Sequence, residues 1–82
     1  MKKKILLVED EENLLKTIRL NLEVEGYEVV CAIDGKSAVR VFETDETDLV
    51  ILDVMLPLMN GFDVCEAIRE KDKNVPVLFL TA

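Results

Sequence analysis

The sequence of 82 residues contains no histidine and no tryptophan, and it has only two cysteines, three glycines and two prolines. A zinc site needs clustered cysteine and histidine ligands, whereas Cys31 and Cys65 lie far apart in separate apolar segments. We therefore interpret both as buried, reduced thiols. Long hydrophobic runs are also missing: the apolar stretches 5–8 and 49–52 have four residues, and the longest, 29–33, has five. A membrane span needs about 20 apolar residues, so no transmembrane segment is expected.

Positive charge is scarce in this chain, which has 10 Lys and Arg against 17 Asp and Glu and a formal net charge of −7. Nucleic acid is not expected as a direct partner, because phosphate contacts need cationic side chains. The lysines at 2–4 precede an apolar segment that ends at Glu9, which is too short for a secretory signal. We expect one small, acidic, cytoplasmic domain, since 82 residues are too few for a multidomain enzyme.

Strand-like and helix-like patterns alternate along the chain. Apolar, partly β-branched runs predict strands at 4–8, 28–32, 49–52 and 77–80. Apolar residues with helical spacing predict helices that begin near Glu12, after the N-cap candidate Asp34, and near Gly61. The order β-α-β-α-β-α-β predicts a doubly wound α/β fold, in which helices cover both faces of a parallel sheet.

Three acidic residues follow strands at the edge where such a sheet binds ligands. Glu9 and Asp10 come directly after the first strand, and Asp53 follows the third. If these two strands are neighbours, the three carboxylates converge and favour a hard divalent cation such as Mg²⁺. An acidic first helical turn would explain Glu9 and Asp10 by the helix dipole alone, but it does not explain Asp53.

A carboxylate beside Mg²⁺ can also act as a nucleophile. Attack of Asp53 on a phosphoryl donor would form an aspartyl phosphate, whose oxygens need a cation and a hydrogen-bond donor. Thr81 directly follows the fourth predicted strand and is the candidate hydroxyl donor. The loops that bind nucleotide phosphates in other α/β proteins, G-x-x-x-x-G-K-[ST] and G-x-G-x-x-G, are absent from the sequence.

Three segments, 5–11, 52–61 and 77–82, together resemble the receiver domain of bacterial two-component response regulators. The middle segment is the most specific, with an aspartate that closes an apolar strand, a proline four residues on and a glycine eight residues on. In the family, residues that match Pro57 and Gly61 shape the loop. The resemblance covers the whole chain and implies a flavodoxin-like fold.

The resemblance also implies roles for individual residues. Asp53 resembles the aspartate that accepts a phosphoryl group from a histidine kinase, and Glu9 and Asp10 resemble the acidic pair that binds Mg²⁺ with it. Met55 matches the residue whose backbone carbonyl completes the protein ligands of the metal. Thr81 resembles the switch hydroxyl that turns toward the phosphoryl group. The chain would then be a phosphoacceptor in signal transduction and not itself an enzyme.

The chain departs from the family pattern in length. Receiver domains have five strands and five helices, so residues 1–82 are expected to form a partial domain that lacks the family's switch lysine. The fourth strand would be an uncovered sheet edge, and we expect a homo-oligomer, in the simplest case a dimer, to complete the fold. Two functions stay open: a signalling receiver phosphorylated on Asp53, or an engineered or structural fragment that self-assembles without signalling.

Overall fold

The computed structural model of the chain describes residues 2–80. The elements alternate as the sequence predicts, and their order is β1 Lys4–Val8, α1 Glu12–Val24, β2 Glu28–Ala32, α2 Gly35–Thr44, β3 Leu49–Asp53, α3 Gly61–Lys71 and β4 Val77–Leu80. No helix of the described residues is both long enough and apolar enough to cross a membrane.

The strands form one parallel sheet with the order β2-β1-β3-β4. Strand β1 lies between β2 and β3, and the register pairs Val8 with Ala32 on one side and with Leu52 on the other. The carboxyl ends of β1 and β3 are therefore side by side, as the predicted convergence of the acidic residues requires.

Two apolar clusters lie on opposite faces of the sheet, because successive side chains of a strand point to opposite faces. The larger cluster joins β1 and β3 to α2 and α3 and contains Leu6, Val8, Val50, Leu52, Ala38, Val64 and Ile68. The smaller one joins the sheet to α1 and contains Ile5, Leu7, Val29 and Ile51, with Leu15, Ile18 and Leu22 packed against it. This two-sided burial explains why the central strands are continuously apolar.

The helix ends follow local sequence signals. Asp34 caps α2 as predicted and accepts a hydrogen bond from the backbone N–H of Ser37 (2.8 Å), which lowers the pKa of the Asp34 carboxyl. Helix α1 is followed, two residues after Val24, by Gly26, which has a positive φ of 96° and whose N–H donates to the Glu23 carbonyl (3.0 Å). The next N–H, from Tyr27, donates to the Leu22 carbonyl (3.1 Å) and completes a Schellman motif.

The two cysteines and strand β4 are more exposed than fully buried core residues. Cys31 and Cys65 are free thiols, but both are half-buried and not fully buried. Within the described residues β4 pairs only with β3, and the side chains of Leu78 and Phe79 are 56% and 37% exposed. Phe79 contacts Phe62 of α3, with ring centroids 5.2 Å apart.

Candidate functional site

The site lies where β1 and β3 end next to each other. Glu9 and Asp10 follow the last residue of β1, and Asp53 is the last residue of β3. One carboxylate oxygen from each of the three residues lies within 4.8 Å of the others. Asp53 lies 44 positions after Glu9 in the sequence. The structure brings it beside Glu9 and Asp10 because β1 and β3 are neighbouring strands.

Glu9 is the buried member of the cluster, with a side chain only 2% exposed. Its Oε2 accepts a hydrogen bond from the backbone N–H of Glu11 (2.9 Å), and its own N–H donates to the Ala32 carbonyl (3.0 Å). Burial raises the pKa of the Glu9 carboxyl, and the nearby Asp53 and Asp10 raise it further, against the opposing effect of the Glu11 hydrogen bond. A buried carboxylate between two others is a costly arrangement unless a cation joins it.

The protein itself supplies no such cation within residues 2–80. Five ion pairs link lysines and arginines to acidic residues, and none of them involves Glu9, Asp10 or Asp53. The oxygen donors are carboxylates, which are the ligands that Mg²⁺ prefers, and Mg²⁺ keeps waters in its remaining positions. The residues present therefore fit a hard divalent cation.

The loop between β3 and α3 holds Asp53 in a fixed orientation. Asp53 Oδ1 accepts a hydrogen bond from the backbone N–H of Met55 (3.1 Å). The N–H of Gly61 donates to the Val54 carbonyl (2.8 Å) and closes the loop at its base. Leu58 at the tip has a φ of 71°, a conformation that costs a residue with a side chain about 1 to 2 kcal/mol. The loop is held at its base and strained at its exposed tip.

A cleft of about 300 Å³ opens over the three carboxylates. Its walls are Glu9, Asp10, Glu11, Leu14, Asp53, Met55 and Leu80. The side chain of Met55 is 77% exposed, so it stands at the rim of the cleft. The mixture of a carboxylate floor and an apolar rim suits a small anionic group that approaches a bound cation.

A larger depression of about 620 Å³ lies at the C-terminal ends of α2 and α3. It contains no comparable cluster of buried carboxylates among the described residues. Its acidic residues are half-buried or exposed, and one of them, Glu43, pairs with Lys71 at 2.7 Å. The carboxylates there are solvated or neutralised, so the convergent cluster at the carboxyl ends of the strands is the stronger candidate.

The sequence-based site is only partly covered by the structure. Glu9, Asp10 and Asp53 are brought together, Met55 lies beside them, and Thr81 lies outside the described residues. Sequence reasoning assigned no role to Glu11, whose carboxylate caps α1 by accepting hydrogen bonds from the N–H groups of Asn13 (3.1 Å) and Leu14 (2.8 Å). An acidic residue directly before the helical period is the signal that would have identified it.

Comparison with known proteins places these features in one family. The family described as "Response regulator receiver domain" matches residues 5–82. The alkaline phosphatase synthesis transcriptional regulatory protein PhoP of Bacillus subtilis (strain 168) is 46% identical over 82 residues, which are 100% of this chain and 34% of PhoP. The chain thus spans about a third of the length of this curated relative.

Solved structures agree in fold. The receiver domain of HemR from Leptospira biflexa has a TM-score of 0.93 and 46% identity over 99% of this chain and 65% of that one. The response regulator TrrA from Thermotoga maritima, solved with Mg²⁺ and BeF, has a TM-score of 0.94 and 40% identity over 98% of this chain and 70% of that one. A second TrrA structure, in complex with the histidine kinase ThkA, has a TM-score of 0.91 over 98% and 69%. The chain belongs to the response regulator receiver domain family, and the four strands and three helices of residues 2–80 form part of a flavodoxin-like fold.

Proposed function

We propose that this chain is a phosphoacceptor of two-component signalling, in which Asp53 receives a phosphoryl group from a histidine kinase. The observation that supports this function most is the convergence of Glu9, Asp10 and Asp53 within 4.8 Å beside a half-enclosed cleft. Glu9, Asp10 and Asp53 would hold Mg²⁺, with the backbone carbonyl of Met55 as a further ligand. The bound metal offsets the charge of the phosphoryl oxygens during transfer.

Phosphoryl transfer to Asp53 is a substitution at phosphorus. A carboxylate oxygen of Asp53 forms the new O–P bond, the P–N bond to the kinase histidine breaks, and the imidazole keeps the electron pair of that bond. The hydrogen bond from Met55 to Oδ1 orients the carboxylate, so Oδ2 is the oxygen we assign to the attack. Thr81 is the proposed hydroxyl donor to the phosphoryl group.

Partner and location follow from the same proposal. The complex of TrrA with ThkA supports a histidine kinase as the phosphoryl donor. In that role the chain is a substrate of phosphoryl transfer and not an enzyme with its own turnover. We place it in the cytoplasm, and the name of its relative PhoP, a transcriptional regulatory protein, supports that location. We assign no nucleic-acid contact to this chain, whose net charge is −7.

Incubation with Mg²⁺ and acetyl phosphate tests the proposed reaction. We expect intact-mass measurement to show the gain of one phosphoryl group, which disappears in Asp53→Asn and when EDTA removes the metal. Asp63→Asn is the matched control, because Asp63 is an exposed aspartate in the first turn of α3, and it should gain the group as the wild type does. No adduct on a chain that binds Mg²⁺ would contradict this function and favour a self-assembling fragment.

We further infer that two copies of this chain associate through β4. The strand has no charged residue, it is paired on one side within the described residues, and Leu78 is 56% exposed. An apolar edge strand offers unpaired N–H and C=O groups to another strand. Two copies of the same edge related by a two-fold axis would satisfy each other's groups.

Sedimentation equilibrium at micromolar concentration tests the association. We expect a dimer for the wild type and a monomer for Leu78→Lys, because a buried, unpaired ammonium at the edge would oppose pairing. Ile33→Lys is the control, since Ile33 is equally exposed (58%) but follows β2 at the opposite edge of the sheet, and it should stay dimeric. A folded wild-type monomer would overturn the inference.

A further inference from the structure

Gly61 begins α3 directly against the backbone of the residue that bears the candidate nucleophile. A Cβ atom at position 61 would overlap the carbonyl oxygen of Asp53 and lie 2.7 Å from the Cα of Val54. Gly61 has no positive φ, which among the described glycines occurs only at Gly26. Alanine favours a helix more than glycine does, so neither backbone conformation nor helix propensity explains a glycine here. The space does.

The close approach of Gly61 to the backbone is connected to the Asp53 carboxylate by a few covalent bonds and hydrogen bonds. The Gly61 N–H donates to the Val54 carbonyl (2.8 Å), and the Met55 N–H holds Asp53 Oδ1 (3.1 Å). The peptide between Asp53 and Val54 therefore lies between the start of α3 and the carboxylate cluster. Packed interiors transmit displacement, so an atom inserted beside this peptide would move the carboxylate.

We propose that Gly61 is a positioning residue for Asp53: its missing side chain lets α3 seat the Asp53–Val54 peptide where the Asp53 carboxylate meets those of Glu9 and Asp10. The proposal rests on the proposed function of this cluster as a metal and phosphoacceptor site. Gly61 touches neither the metal nor the phosphoryl group and acts only through the backbone of Asp53.

The other two glycines of the chain provide controls. Gly35 also begins a helix, α2, and a Cβ there would be crowded, at 2.7 Å from the Cβ of Met59 and 2.8 Å from Cγ2 of Val64. These contacts are to side chains at least six residues beyond Asp53. A Cβ at Gly26 would meet nothing within 4 Å, so Gly26→Ala tests backbone strain alone. The three variants thus separate crowding at Asp53 from crowding elsewhere and from strain.

The experiment measures Mg²⁺ affinity, urea midpoint and backbone amide chemical shifts for the wild type, Gly61→Ala, Gly35→Ala and Gly26→Ala. All three substitutions are expected to lower the urea midpoint. Only Gly61→Ala should weaken Mg²⁺ binding, by about tenfold or more, as the loss of a group that orients a ligand does. In the metal-free proteins, only Gly61→Ala should shift the amides of Asp53 and Met55 strongly.

Each outcome decides the proposal. Equal Mg²⁺ affinity in Gly61→Ala and Gly35→Ala would overturn it, because the effect would then be general destabilisation or none. If the wild type itself does not bind Mg²⁺, the proposed function fails, and the metal-free amide shifts at Asp53 and Met55 still decide the positioning role. A Gly61→Ala chain that stays unfolded even with trimethylamine N-oxide, which favours compact states, would also overturn it by showing a purely structural role.

Discussion

Glu9→Gln is expected to stabilise the metal-free protein and to remove most of its affinity for Mg²⁺. The substitution keeps the size of the side chain and an oxygen that can accept the N–H of Glu11. It removes a buried negative charge beside Asp10 and Asp53, and each repulsion removed is worth about 1 kcal/mol or more. A bound Mg²⁺ would lose one of three anionic ligands, so its dissociation constant should rise by about 100-fold or more, since loss of even an outer-shell partner costs about 10- to 100-fold.

Glu9 should also make the free energy of unfolding depend on pH. Burial and the neighbouring Asp53 and Asp10 raise the pKa of Glu9 above its ordinary value of 4.5. Between 4.5 and the raised pKa, the folded protein holds a proton that the unfolded chain has lost. The free energy of unfolding without metal should therefore fall as the pH rises through this window, and Glu9→Gln should lack this contribution.

Urea unfolding followed by circular dichroism, with and without Mg²⁺, measures both effects. Glu66→Gln is the matched control, because Glu66 is an exposed residue of α3 outside the cluster, and it should leave Mg²⁺ affinity unchanged. At neutral pH Mg²⁺ should raise the midpoint of the wild type and of Glu66→Gln but not that of Glu9→Gln. A Glu9→Gln protein that is destabilised without metal, or that keeps its Mg²⁺ affinity, would contradict the site described here.

Leu52→Ala is expected to lower the free energy of unfolding by about 3 to 4 kcal/mol. Leu52 is fully buried, belongs to the larger apolar cluster and directly precedes Asp53 in β3. Its truncation removes apolar contact and leaves a cavity that the surrounding strands only partly close. Small domains have a total free energy of unfolding of about 5 to 15 kcal/mol, so this single change should remove a large part of it.

The measurement is again a urea titration, at a fixed protein concentration so that any association does not alter the comparison. Leu20→Ala is the control: Leu20 is 62% exposed on α1, and its truncation should change the free energy of unfolding by less than about 0.5 kcal/mol. Equal losses in the two variants would show that Leu52 is not a core residue of the folded state. Saturating Mg²⁺ should return part of the stability of Leu52→Ala, because a cation held by the three carboxylates would bind only the folded state.

Local patterns determined much of what the structure contains. The change from continuous apolar runs to helical spacing located each strand and helix, and Asp34 marked the start of α2 through chemistry that acts within a few residues. The positions of Glu9, Asp10 and Asp53 after strands were likewise readable, because such placement is a property of the sequence alone.

The order of the elements, the acidic residues at the strand ends and the motifs shared with receiver domains can therefore be predicted from the amino-acid sequence. Which strands are neighbours follows from packing, since the order β2-β1-β3-β4 depends on how α1 packs on one face and α2 and α3 on the other. The same packing produces the near-complete burial of Glu9 and the contact of Gly61 with the Asp53 backbone. Such contacts join residues distant in sequence, and periodicity contains no information about distances across a packed core.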